Sequence, residues 1–168
     1  PIYVREQGAK AVLAGETDDV IDVDKILAAI SNRTRMIIVA NPNNPTGTYI
    51  NNTELRRLVG GIPESILLIL DGAYAEYVTA TDYDDGLAFV SDHPNIVVTH
   101  TFSKIYGLAG LRVGWACADE SVLREINKLR TPFNVNGPAG AAAAAALRDP
   151  AFVEKVRAAN RKELDWII

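Results

Sequence analysis

Hydrophobic positions along this chain gather into short unbroken runs, with helical patterns between them. Met36–Ala40 reads MIIVA, Ile66–Leu70 reads ILLIL and Ile96–Thr99 reads IVVT. Runs this short, flanked by polar turns, suit parallel strands covered on both faces. A further apolar run, Val113–Ala118, follows the third strand. Between the runs the period changes. Asp22–Ile30 reads as a helix with Asp22 as N-cap and Val23, Ile26, Leu27 and Ile30 on one face. A second helix starts at Asn52. A third, Glu120–Leu129, spaces Val122, Leu123, Ile126 and Leu129 for burial.

The remaining segments are shorter or polar. Residues 1–15 hold a helix remnant and a short strand near Ala11–Leu13, followed by an acidic turn at Thr17–Asp19. Thr79–Gly86 is an acidic loop, Leu87–Asp92 a helical turn and Arg130–Pro138 an extended loop. Ala139–Leu147 is an alanine-rich helix whose small side chains allow close packing. Pro150 suits the first turn of a last helix. Strands alternating with helices predict an α/β unit: a mainly parallel sheet flanked by helices.

Length and charge narrow this picture. The 168 residues suffice for one domain with a core. A net charge of −4 argues against nucleic acid or an anionic membrane as partner. No apolar run approaches the roughly 18 residues of a membrane span. The single cysteine, Cys117, lies in an apolar run and reads as a buried, inert thiol. It excludes an internal disulfide framework and fits a reducing compartment, so a cytoplasmic location is expected. Two histidines and one cysteine supply too few ligands for a structural zinc site. The start, PIYVREQGAK, is charged too early for a signal peptide and lacks methionine, and the chain ends on DWII within a helical pattern. A piece of a longer protein is expected.

Candidate chemistry concentrates in HTFSKIYGLAGLRVGW, His100–Trp115. Lys104 follows a hydroxyl-rich turn, eight residues before Arg112, with glycines at 107, 110 and 114 to fold the backbone between them. An ammonium delivered from the end of a buried strand is costly where water is scarce. A desolvated lysine has a lowered pKa and can attack a carbonyl. Two more polar clusters sit at strand ends: Asn41–Gly47 (NPNNPTG) and Asp71–Tyr74 (DGAY). Ligands in such sheets bind beyond the carboxyl ends of the strands, so the three clusters can share one pocket. Singly, each has a plain structural reading. NPNNPTG can be only a turn, Asp71 a helix cap, Lys104 a surface lysine and Arg112 an ion-pair partner.

Together, NPNNPTG, Asp-x-Ala-Tyr and Thr-x-Ser-Lys-x-x-x-Leu-Ala-Gly-x-Arg resemble the fold-type I pyridoxal-phosphate aminotransferases. Ser-Lys-x-x-Gly-Leu-Ala-Gly-Leu-Arg and Arg-x-Pro-Phe-Asn-Val-Asn resemble the histidinol-phosphate aminotransferase branch. The resemblance runs from about Val12 to Glu163. It implies residues 1–148 as most of the cofactor-binding large domain, with 149–168 a helix leading towards a small domain outside the chain.

It implies Lys104 as the Schiff-base lysine and proton-transfer base, Asp71 as partner of the pyridine nitrogen, and Tyr74 with Asn44 on the ring's 3′ oxygen. Thr101, Ser103 and Arg112 would hold the phosphate. Asn134 and Asn136 would face the substrate. The implied activity is transamination between histidinol phosphate, or an aromatic amino acid, and 2-oxoglutarate or glutamate, by a homodimer. Two alternatives stay open: a related decarboxylase of an amino-acid phosphate, and a non-catalytic module that binds the cofactor or phosphate. One departure stands out. Many relatives read Asp-Glu-Ala-Tyr where this chain has Gly72.

Overall fold

The computed structural model describes residues 2–167. Pro1 and Ile168, the outer bounds of the two expected units, lie outside the described residues. A short helix α1 (Ile2–Glu6) leads to a small antiparallel hairpin of β1 (Glu16–Thr17) and β2 (Val20–Ile21). The hairpin turns through Asp18 and Asp19 at φ 52° and 60°. Helix α2 (Val23–Ala28) follows, with the Asp22 carboxylate accepting the Lys25 amide as its N-cap.

The main sheet has the order β3 (Met36–Ala40), β4 (Leu67–Asp71), β5 (Ile96–Thr101) and β6 (Gly114–Ala118). The first three strands are parallel and β6 is antiparallel to β5. The α/β expectation therefore holds, with the Val113–Ala118 run supplying the antiparallel edge. Helix α3 (Asn52–Gly61) is the crossover between β3 and β4, and the Asn51 side chain caps it on the Glu54 amide. Arg57 bridges α3 to α2 by pairing with Asp24 while also holding Glu54.

The core lies on one face of this sheet. Val39, Leu68, Leu70, Ile96 and Val98 point into it and meet Leu55, Leu58 and Val59 of α3 and Val23 of α2. Burying a side chain such as Leu58 or Leu68, 0% and 1% exposed, is worth about 1.5–3 kcal/mol. The helical face expected for α2 is the observed one: Val23 is buried, and Ile26, Leu27 and Ile30 pack beside it. A smaller cluster forms where α5 (Gly137–Ala146) brings Ala139 and Ala143 against Phe102 and Val113, the close packing that alanine permits. Helix α6 (Pro150–Ile167) starts on its proline, capped by Asp149. Its Arg157 Nε donates to the Glu76 carbonyl at 2.8 Å.

Four expectations fail, for one shared reason. Met36 and Ile38 are 49% and 60% exposed, so β3 is covered on one face only. Helix α4 (Glu120–Leu129) has an apolar stripe, yet Ile126 and Leu129 are 46% and 87% exposed. Cys117 is partly exposed on the edge strand β6 rather than buried. No strand forms at Ala11–Leu13, where Val12 and Leu13 are exposed. Apolar periodicity reports a readiness to be covered. Among the described residues nothing covers these positions.

Candidate active site

The strand register sets the site. Ala40, Asp71 and Thr99 lie side by side across β3, β4 and β5, so the three carboxyl ends finish level. Thr101 is two residues beyond Thr99 and shares its face, because side chains alternate along a strand. Asp71 and Thr101 thus stand on the open face, the one carrying Met36 and Ile38.

The loop after β3 divides its labour. Asn41 is buried, and its amide group folds back on Ile50, accepting from the Ile50 nitrogen at 3.0 Å and donating to the Ile50 oxygen. Asn43 donates to Thr46 Oγ1 and Gly47 closes the turn at φ 72°. This leaves Asn44 exposed, with its Nδ2 donating to Tyr74 Oη at 3.1 Å. Lys104 Nζ lies 4.9 Å from the centre of the Tyr74 ring. Tyr74 therefore meets both Asn44 and Lys104, which come from two other chain segments. Asp71, at the end of β4, is half-buried, with Oδ1 accepting the Ala73 amide at 3.0 Å. This bond closes a turn and does not cap the short helix at Ala75–Tyr77, whose N-cap is Tyr74; the other Asp71 oxygen is not committed to it.

A second group lies beyond β5. The Ser103 amide donates to Thr101 Oγ1 at 3.1 Å, and Arg112 Nη1 approaches Ser103 Oγ at 3.4 Å. Arg112 takes φ 53°, and the same nitrogen donates to the Ala109 carbonyl at 2.7 Å. Two hydroxyls and a guanidinium thus form a cradle with the donor chemistry of an anion site.

Electrostatics favours the neutral form of two partly buried phenols, Tyr77 and Tyr83. Burial pushes the Tyr77 hydroxyl up, the neighbouring Tyr74 adds to this, and the Lys104 charge opposes it. Burial also raises Tyr83, with Asp85 and Glu76 adding to it, and its hydroxyl donates to the Asn41 carbonyl at 2.7 Å.

One site expectation changes. Lys104, in the turn after β5, is exposed rather than desolvated among the described residues. Asn136 caps α5 by accepting the Ala139 amide, and Asn134 accepts from Arg130 Nη1 in an exposed loop, so both oxygens have local partners. The sequence reading also passed over His100. This residue is 7% exposed, stacked on Trp115 and bonded to Glu76. Gly72 was the available signal, since a missing side chain one residue after Asp71 leaves room for something.

The fold is an α/β unit whose level strand ends carry an amine, a carboxylate, a phenol–amide pair and a hydroxyl–guanidinium group. The chain belongs to the aminotransferase class I and II family, whose model matches residues 5–166. It is similar to the histidinol-phosphate aminotransferase of Rhodopseudomonas palustris, 51% identical over 158 residues, which is 94% of this chain and 43% of that relative.

Among solved structures it resembles histidinol-phosphate aminotransferase from Sinorhizobium meliloti in complex with pyridoxal-5′-phosphate. The identity is 32% and the TM-score 0.87, over 93% of this chain and 42% of that one. It also resembles L-threonine-O-3-phosphate decarboxylase from Porphyromonas gingivalis, at 29% identity and a TM-score of 0.71, over 83% of this chain and 43% of that one. The chain therefore spans less than half the length of these relatives.

Proposed function

We propose that the protein carrying this chain is a pyridoxal-phosphate-dependent transaminase that moves an amino group between histidinol phosphate and 2-oxoglutarate or glutamate. The observation that carries this reading is the meeting of Asn44 and Lys104 at Tyr74, beyond the strand ends that include Asp71. The similarity to histidinol-phosphate aminotransferases supports the choice of substrate. The residues present fit the cofactor. An amine lies beside a phenol and an amide, a carboxylate stands on the same face, and a hydroxyl–guanidinium cradle is correctly charged for a phosphate.

When bound, pyridoxal phosphate supplies an electron sink for charge left at the substrate's α-carbon. The chain's own groups have simpler tasks. Lys104 Nζ would be the group that holds the cofactor and, once freed, the base that takes and returns the α-proton. Its attraction to the Tyr74 ring and the Asn44–Tyr74 bond hold amine and phenol at fixed separation. Asp71 would present a carboxylate to the ring nitrogen, and Thr101, Ser103 and Arg112 would hold the phosphate, the guanidinium supplying the fixed positive charge. In this reading residues 1–148 are most of the large domain, α6 begins the link to a smaller one, and the enzyme acts in the cytoplasm as a homodimer.

The test uses the full-length protein. Loading with pyridoxal phosphate, reduction with borohydride and peptide mass mapping are expected to place the label on Lys104, and Lys104→Ala to abolish both label and amino transfer. A label elsewhere, or activity surviving in Lys104→Ala, overturns the reading. A second reading, decarboxylation of an amino-acid phosphate, rests on the likeness to the Porphyromonas gingivalis enzyme. Carbon dioxide release without keto acid formation would favour it.

A further inference from the structure

His100 lies on the opposite face of β5 from Thr101, directly behind the candidate site, and four segments converge on it. Its ring stacks on Trp115 of β6, with centroids 4.4 Å apart and planes 1° from parallel. Its Nδ1 lies 3.0 Å from Glu76 Oε1, in the turn that follows Tyr74. Its Nε2 is 3.6 Å from Asp85 Oδ2, in the acidic loop, and makes no hydrogen bond. The fourth segment is Gly72. A Cβ there would stand 3.1 Å from both His100 Cε1 and Nε2, and 3.2 Å from the Thr99 carbonyl, which accepts the Gly72 amide at 2.8 Å. The close approach exists only because residue 72 has no side chain. Gly114 repeats the pattern on the other side, where a Cβ would come within 2.7 Å of the His100 carbonyl.

The placement has a consequence for the site. Gly72 follows Asp71, Glu76 comes two residues after Tyr74, and His100 precedes Thr101. One imidazole, 4% exposed in its side chain, therefore touches Gly72, next to Asp71, and Glu76, two residues after Tyr74, and its own residue adjoins Thr101. A buried group bonded and stacked in this way has one orientation, since rotation would break the Glu76 bond or the Trp115 stack. Shifting the ring shifts Gly72 with it.

We propose that His100 is a positioning residue: packed against Gly72 and tied to Glu76, it sets where Asp71, Tyr74 and Thr101 stand relative to one another. The proposal rests on the transaminase reading for what these three residues hold, and on geometry alone for its effect on the backbone.

The test compares His100→Ala, Glu76→Gln, Gly72→Ala and the Gly72→Ala/His100→Ala pair in the full-length protein. The first readout is amide hydrogen exchange over residues 71–77 in the cofactor-free protein. Protection is expected to fall in His100→Ala and in Glu76→Gln, which keeps the side chain's shape. The second readout is the affinity for pyridoxal phosphate and the pH at which the bound cofactor's visible band titrates. Affinity is expected to weaken by ~10–100-fold, the scale of a misplaced reacting group, with a displaced titration. The third is coupling: the methyl added in Gly72→Ala is expected to cost less in the His100→Ala background than alone.

Unchanged protection in Glu76→Gln overturns the proposal, including when His100→Ala does not fold. Lost protection with unaltered affinity and titration also overturns it, because His100 would then only stabilise. Additive effects of the pair overturn the steric link to Gly72. If the wild-type protein forms no band with pyridoxal phosphate, the transaminase reading fails, while the exchange measurement still decides the backbone claim.

Discussion

The two faces of the β3–β6 sheet have the same apolar strands and opposite fates. One face is closed: Val39, Leu68, Leu70, Ile96 and Val98 are at most 3% exposed beneath α2 and α3. The other leaves Met36 and Ile38 about half in solvent and ends in Asp71 and Thr101. The closed face carries the packed core, and the open face carries polar groups of the candidate site. His100 belongs to the closed face but adjoins the site, so it is where the two meet.

This division makes unequal predictions, all for the full-length protein. Leu68→Ala should have the largest effect on folding, about 2–5 kcal/mol in denaturant unfolding, from lost burial and the cavity left behind. Pyridoxal phosphate attachment should survive wherever the variant is folded. A loss below ~1 kcal/mol would show that the closed face is not the stabilising one.

Arg112→Lys should weaken cofactor affinity by ~10–100-fold, equivalent to the ~1.5–3 kcal/mol of a charged hydrogen bond, because an ammonium cannot reproduce the guanidinium fork. Its melting temperature should hardly move. Equal affinity in a direct binding titration would remove Arg112 from the phosphate cradle.

Tyr83 tests the boundary by pH. Burial raises its hydroxyl above the ordinary value of 10.0, so the folded state keeps its proton after the unfolded chain has lost it. The stability it contributes is complete below pH 10.0 and falls as pH rises beyond that value towards the folded pKa. Tyr83→Phe should cost about 0.5–1.5 kcal/mol at neutral pH through the lost bond to Asn41, and should flatten the alkaline decline in unfolding free energy. An equally steep decline in the variant would assign it to other groups.

Lys104→Ala should have the smallest effect on stability, no more than the ~0.5–1 kcal/mol of an exposed cation–π contact. It should still abolish borohydride-trapped attachment. A large destabilisation would mean that Lys104 serves the fold and not the site.

Much of this arrangement was legible in the residue order. The runs at Met36, Ile66 and Ile96 gave the three parallel strands, and Asp22 capped its helix as its position required. Asn44, Asp71, Tyr74 and Lys104 could be placed at strand ends because Asp71 follows its apolar run directly and the others lie in the turns just beyond such runs. Exposure was not legible. The same patterns that predicted burial for Met36, Ile38, Ile126 and Leu129 say nothing about whether a covering partner is there. His100 escaped for the opposite reason: a lone histidine beside a threonine carries no pattern until Gly72, Glu76 and Trp115 are brought around it.

The sequence by itself determined which chemical groups stand at the strand ends and in what order, because strand periodicity and turn residues are local properties. Only the tertiary structure decided that Asn44 and Lys104 meet at Tyr74, that Lys104 remains in solvent, and that Gly72 yields its place to His100. These contacts join segments tens of residues apart. Strand register and packing set them, and neither is encoded within any one segment.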